Sequence, residues 1–248
     1  MNKQILNVIL AGSLISVSTV AGAKESAHWS YSGHQGPAHW GELAPEFATC
    51  AGGKNQSPVD ISHTIKGELE SLTVAYKPAG EAVVNNGHTI QVNYAAGSTL
   101  GLDGHEFELK QFHFHSPSEN TVKGQSYPLE AHFVHADKQG NLAVVALMFE
   151  QGEANQELSK VWAKMPKNAG EQAELSQVVN ALALWPSQQD YYRFNGSLTT
   201  PPCSEGVRWI VLKSPVSAST QQIDDFTALM QHPNNRPLQA INARTILE

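Results

Sequence analysis

Glu106-Phe107-Glu108-Leu109-Lys110-Gln111-Phe112-His113-Phe114-His115 and Leu129-Glu130-Ala131-His132-Phe133-Val134-His135 are the two stretches whose reading decides the fold. Each alternates polar and apolar side chains, and the turn-rich segment Ser116–Pro128 separates them. Alternation with a period of two marks a half-buried strand, because successive strand side chains point to opposite faces. The connection can reverse the chain and set the second strand beside the first. Gln111, His113 and His115 then share one face, with Phe112 and Phe114 on the other. In the second strand Glu130, His132 and Val134 share one parity, and Ala131, Phe133 and His135 the other.

Outward from this pair, similar short segments recur at Leu69–Tyr76, His88–Tyr94, Leu142–Glu150 and Val207–Leu212, separated by Gly, Pro, Asn and Ser. Helical spacing is rarer and falls on Asn155–Trp162, Glu171–Leu182 and Ser219–Gln231. No repeat, low-complexity stretch or interior linker divides the chain. The expectation is a mainly β (α+β) protein forming a single domain over residues 24–248, with a few surface helices. Strand order does not follow from these patterns.

The chain has 248 residues, a hydrophobic content of 41% and a formal net charge of -7, with no run of Lys or Arg. Nucleic acid and anionic membranes are therefore poor partners. At the N-terminus Lys3 precedes an uncharged, mostly apolar stretch from Ile5 to Val20, and Ala21-Gly22-Ala23 follows. That order reads as a signal peptide over residues 1–23, cut after Ala23, which directs the mature chain to the periplasm or outside the cell. The apolar stretch is short for a stable membrane span. Export also decides how Cys50 and Cys203 are read, since they are the only cysteines and an oxidising compartment lets them join. A bridge between them closes most of the mature chain, worth roughly 5 kcal/mol at the upper end. Two cysteines cannot build a Cys-based zinc finger.

Of the 11 histidines, His28, His34, His39, His63 and His232 carry no ligand spacing. His113 and His115 differ: two imidazoles on one strand face can grip a small ion. His132 supplies a third from the neighbouring strand, while His135 is directed away. Three neutral imidazoles suit Zn2+, leave its charge intact and keep a fourth tetrahedral position open, which is the pattern of a catalytic rather than a structural site. Ligating histidines need their other ring nitrogen held, and Gln111 and Glu130 lie in the right parity to accept from it.

These residues, taken with the rest of the mature chain in order, resemble the α-class carbonic anhydrases of the exported bacterial kind. The resemblance rests on Trp29-Ser30-Tyr31, Gly36-Pro37-Ala38-His39-Trp40, Asn55-Gln56-Ser57-Pro58-Val59-Asp60-Ile61 and Asn85-Asn86-Gly87-His88. It also rests on the histidine strands, Ser197-Leu198-Thr199-Thr200-Pro201-Pro202-Cys203, Val207-Arg208-Trp209-Ile210-Val211-Leu212 and Asn242-Ala243-Arg244. It implies a central, mostly antiparallel twisted sheet with peripheral short helices, and reversible hydration of carbon dioxide to bicarbonate and a proton. By the same resemblance His113, His115 and His132 hold zinc, Thr199 accepts the proton of the zinc-bound hydroxide, and Glu119 orients Thr199. Thr200 helps to hold bicarbonate and water, and Val134, Val144, Leu198, Val207 and Trp209 form the apolar wall for carbon dioxide. His88 is the implied proton shuttle, with Tyr31, Asn86 and Gln91 lining the water path. Cis peptide bonds are implied at Ser57–Pro58 and Pro201–Pro202.

Some positions depart from the animal pattern. Ser116-Pro117 follows His115 where animal members carry Trp-Gly, Asn120 replaces a histidine common beside the Glu119 position, and Thr89 is bulkier than the usual neighbour of the shuttle. These bear on rate rather than on the zinc chemistry. Two other readings stand beside this one: a catalytically silent binding module of the same build, and a zinc-dependent esterase. Monomer and homodimer are both open.

Overall fold

In the computed structural model, which describes residues 27–248, the two histidine-bearing stretches are neighbouring strands; the expected signal peptide at 1–23 lies outside the described residues. The sheet is built on β1 (Gly80–Asn85), β2 (Ile90–Tyr94), β3 (Thr99–Leu102), β4 (His105–His115), β5 (Leu129–Ala136), β6 (Leu142–Gln151), β7 (Tyr191–Ser197) and β8 (Glu205–Leu212). Its main path runs β1-β2-β4-β5-β6-β8-β7, with β3 on β4; short strands at both margins, one on β3 and one on β6 complete 13. Among these eight, only β6 and β8 pair in parallel.

Register carries the site. Gln91 faces His113, His113 faces His132, His132 faces Ala146, and Ala146 faces Val211, a single row across five strands. The β4–β5 register shifts between Leu109 and Gln111, so Lys110 is an extra residue. Such a bulge flips the side-chain parity of everything beyond it. Phe107 and Leu109 therefore share the apolar cluster of Phe112 and Phe114 although their numbers differ in parity.

That cluster fills one face of the sheet and is covered by α1 (Gln156–Trp162) and α2 (Thr220–Met230). Phe112, Phe114 and Phe133 are wholly buried in it, and removing each from water stabilises the fold by roughly 1.5–3 kcal/mol. Asn155 caps α1 through Oδ1, and Ser219 with Gln222 forms a reciprocal capping box at α2. Both helices lie where their spacing places them. The opposite face holds a second cluster, with Val144, Ala146, Met148, Val207, Trp209 and Val211 at its centre.

Glu171–Leu182 is not a helix. Gln172–Glu174 pairs antiparallel with β1, and Ala181–Leu184 forms a 3₁₀ turn capped by Asn180. The open N–H and C=O groups of β1 at the sheet margin outweigh a weak local helical preference. Of Leu69–Tyr76, only Thr73–Ala75 is strand, paired with β3.

A third cluster, formed by Trp40, Phe47, Cys50 and Cys203 with Trp29 and Tyr31 against it, seats the N-terminal segment. Cys50 and Cys203 are bonded, as expected from export. Ser57–Pro58 and Pro201–Pro202 are cis, as expected, and so is Ser116–Pro117, which was not foreseen.

Candidate metal centre and cleft

Because β4 and β5 pair with His113 opposite His132, three imidazoles converge on one point. One ring nitrogen from each of His113, His115 and His132 lies within 4.8 Å of the other two, the only such group of His, Cys, Asp and Glu among the described residues. The remaining ring nitrogens are all held. His113 Nδ1 meets Gln111 Oε1 at 2.8 Å, His115 Nδ1 meets the Asn234 carbonyl at 2.7 Å, and His132 Nε2 meets Glu130 Oε1 at 2.9 Å. Nε2 of His113, Nε2 of His115 and Nδ1 of His132 are thereby left to face inward. Burial holds all three imidazoles below the usual proton affinity, and their neighbours reinforce this for His113 and His132. Neutral imidazoles with inward lone pairs are what a metal ion requires.

His115 Nε2 is buried and has no hydrogen-bond partner. An orphaned buried nitrogen costs roughly 1–3 kcal/mol unless something fills its valence, so the donor set fits a zinc ion.

Glu130 is also a strut. Its carboxylate accepts the backbone N–H groups of Glu119 and Asn120 at 2.6 and 3.0 Å and the Asn120 side-chain amide at 2.8 Å. It so fixes the loop after β4 to His132. Within that loop Glu119 is buried, with Oε2 at 3.6 Å from His115 Nε2 and 3.9 Å from His132 Nδ1. The Arg236 amide donates to its other oxygen at 2.8 Å. Burial pushes the Glu119 carboxyl up to about 8, opposed by the Arg236 amide and the nearby Thr199 hydroxyl. The Thr199 hydroxyl is a neighbour rather than an aligned donor, since Oε2 has no partner of full hydrogen-bond geometry. A cation among the imidazoles would favour the ionised carboxylate.

A cleft of about 130 Å³ opens above the histidines, lined by Trp29, Tyr31, Asn86, His88, Thr89, Gln91, Gln111, His113, His115 and Thr200. It thus gathers the four residues of the expected proton path and two of the three candidate ligands. The His88 ring stacks on Trp29 with centroids 3.7 Å apart and planes 7° from parallel. Burial, followed by the charges of His28 and His232, holds the His88 imidazole below its ordinary value. The expected apolar wall does not line this cleft. Val144, Val207 and Trp209 are nearly wholly buried in the adjoining cluster, against which Val134 and Leu198 pack. Trp209 meets His132 edge-on, with ring centroids 4.9 Å apart. Gly196 permits this packing, since a Cβ there would lie 2.9 Å from Trp209 and 2.1 Å from Ser57 Oγ.

Thr199 and Thr200 sit on the loop that Cys203 ties to Cys50. The Cys203 amide donates to the Thr200 carbonyl at 2.9 Å, and Gln56 donates to the Cys203 carbonyl at 3.1 Å.

Two residues escaped the sequence reading. Asn234 follows α2 and joins several parts of the site. Besides holding His115, its side chain accepts from the Ser116 amide at 2.8 Å and donates to the carbonyls of His88 and Phe114 at 3.0 and 2.9 Å. Arg236 is buried, with its guanidinium bonded to Gln56, the Ser57 carbonyl and the Cys50 carbonyl. Asn234 reaches His115 through its carbonyl and Arg236 reaches Glu119 through its amide, backbone groups that no residue pattern displays.

A family model described as eukaryotic-type carbonic anhydrase matches residues 35–248. A carbonic anhydrase of Pectobacterium carotovorum is 48% identical over 234 residues, 94% of this chain and 96% of that relative. One of Neisseria gonorrhoeae is 50% identical over 222 residues, 89% of this chain and 88% of that relative. The solved structure of the α-carbonic anhydrase of Thermovibrio ammonificans with the inhibitor sulfanilamide aligns with a TM-score of 0.89 at 50% identity, covering 90% of this chain and 100% of that one. Sequence, fold and the three-histidine geometry agree, and the chain belongs to the eukaryotic-type, or α, carbonic anhydrase family of enzymes.

Proposed function

We propose that this protein is an exported zinc enzyme that interconverts carbon dioxide with bicarbonate and a proton. The observation that carries the reading is the convergence of the three imidazoles within 4.8 Å, with every outward ring nitrogen held by an acceptor. His113, His115 and His132 would hold the zinc, and Gln111, Glu130 and the Asn234 carbonyl fix their rings. When bound, zinc supplies acidification of a water molecule to a pKa of about 7, the figure established for carbonic anhydrase itself.

The chain's own residues supply the remainder. Glu119 can only accept once ionised, so a Thr199 hydroxyl that turns toward it donates its proton there. The Thr199 lone pair then faces the reacting oxygen and sets its orientation toward the substrate carbon. Thr200, at the cleft wall, offers a hydroxyl to bicarbonate. The buried group around Val144, Val207 and Trp209 makes the adjoining side of the site dry, which suits a small apolar substrate. His88 is placed to receive a proton by way of water in the cleft and release it at the mouth. The N-terminal pattern Lys3…Ala23 and the Cys50–Cys203 bridge support export.

Metal analysis with stopped-flow carbon dioxide hydration tests the reading. Stoichiometric zinc and hydration that a chelator removes and zinc restores are expected. Zinc without hydration would favour a silent binding module, and ester hydrolysis without carbon dioxide hydration would favour an esterase.

A further inference from the structure

Away from the cleft, the N-terminal segment brings a second set of metal-binding side chains together. His34 lies in the 3₁₀ turn Gly33–Gln35, and His39 precedes the short helix Trp40–Leu43. Their ring centroids are 6.1 Å apart. Glu42, three residues after His39 and so on the same face of the helical turn, brings Oε2 to 3.7 Å from His39 Nδ1. All three side chains reach solvent, and none lines the cleft.

The backbone beneath them is fixed. Trp40 is wholly buried, and its indole N–H donates to the carbonyls of Ser30 and Gln35 at 2.9 and 3.0 Å. The turn bearing His34 is thereby held against the helix that follows His39. The His39 amide also donates to the Gly36 carbonyl at 2.9 Å. On the underside Gly41 meets Ala51, where an added Cβ would lie 2.5 Å from the alanine methyl. With Trp40 and Gly41 pressed inward, His39 and Glu42 point out.

Ring separation selects the ion. An imidazole bound at about 2.0–2.1 Å has its ring centroid roughly 3.2 Å from the metal. Two imidazoles then stand roughly 5.2 Å apart on a tetrahedral ion and roughly 6.3 Å apart across a tetragonal one. The pairs among His113, His115 and His132, at 4.6, 5.1 and 5.4 Å, suit the first. His34 and His39 suit the second, and as surface rings they can turn their nitrogens toward a common ion. Two imidazoles and a carboxylate in tetragonal array are a donor set for Cu2+, which heads the affinity order of the divalent first-row ions. We propose that His34, His39 and Glu42 form a surface site for Cu2+, separate from the three-histidine centre, with water completing the coordination. The carboxylate and the chain's formal net charge of -7 both favour a cation there.

The test is equilibrium dialysis of the zinc-loaded protein against Cu2+, with metal analysis and electron paramagnetic resonance of the bound copper. One Cu2+ per chain should bind with zinc retained, and its spectrum should be axial with splitting from two nitrogens. His34→Gln and His39→Gln should each weaken binding about tenfold or more, since even the outer partners of metal ligands are worth about 10–100-fold. Glu42→Gln should weaken it while keeping both nitrogens. His63→Gln, at an exposed histidine elsewhere, should change nothing. Copper bound equally well by the His34→Gln, His39→Gln double variant overturns the site, as does copper taken up only as zinc is lost. Unchanged affinity in Glu42→Gln overturns the three-ligand set.

Discussion

His132 and His135 lie three residues apart on β5, both essentially out of contact with water, yet their rings meet different surroundings. His135 faces the large apolar cluster, where the Tyr76 hydroxyl meets Nε2 and the Ala143 carbonyl accepts from Nδ1 at 3.1 Å. Both of its nitrogens are used. His132 faces the other side, where Glu130 takes one nitrogen and the second points at His113, His115 and Glu119. On that face nitrogens are left open, and that of His115 has no partner at all. The difference teaches how to read a buried imidazole: complete hydrogen bonding makes it part of the core, and an inward-facing open valence makes it part of a site.

The largest effect expected from this contrast follows His132→Ala. Losing one of three anchors should remove zinc and reduce hydration to background, measured by metal analysis and stopped flow. Retained zinc with normal turnover would break the comparison at its root.

Phe133 stands between the two histidines, points with His135, and stacks on Phe112 with ring centroids 5.3 Å apart. Phe133→Ala should cost about 3–5 kcal/mol in denaturant unfolding. Protein that remains folded should still bind stoichiometric zinc. Loss of zinc affinity comparable to that in His132→Ala would show that the two faces are not separable.

A smaller effect concerns acid. Burial lowers the His135 pKa to about 4, against the opposing bonds to Ala143 and Phe133. An unfolded imidazole titrates near 6.5, so between these values the unfolded chain binds the extra proton. Neutral His135 thus contributes stability that is fully present above about pH 6.5 and is lost as the pH falls toward 4, a swing of about 3 kcal/mol. His135→Gln keeps a donor and an acceptor, and should flatten the acid limb of the stability curve over that window. An acid limb as steep as that of the unmodified protein would assign the lability to the metal face instead.

The period-two alternation in Gln111–His115 and Leu129–His135 was enough to sort every side chain of those stretches to its face, because a pleated strand allows only two directions. It also pointed to the three candidate ligands, the metal chemistry that they suit and the acceptors Gln111 and Glu130. Pairing of the only two cysteines followed from composition and the expectation of an oxidising compartment. Tertiary structure decided what depends on partners remote in sequence. Glu171–Leu182 lost its helix to the free edge of β1, and the Lys110 bulge reset the parity of β4. Asn234 and Arg236 reach His115 and Glu119 through a carbonyl and an amide, groups that every residue possesses and that only folding brings to a given place.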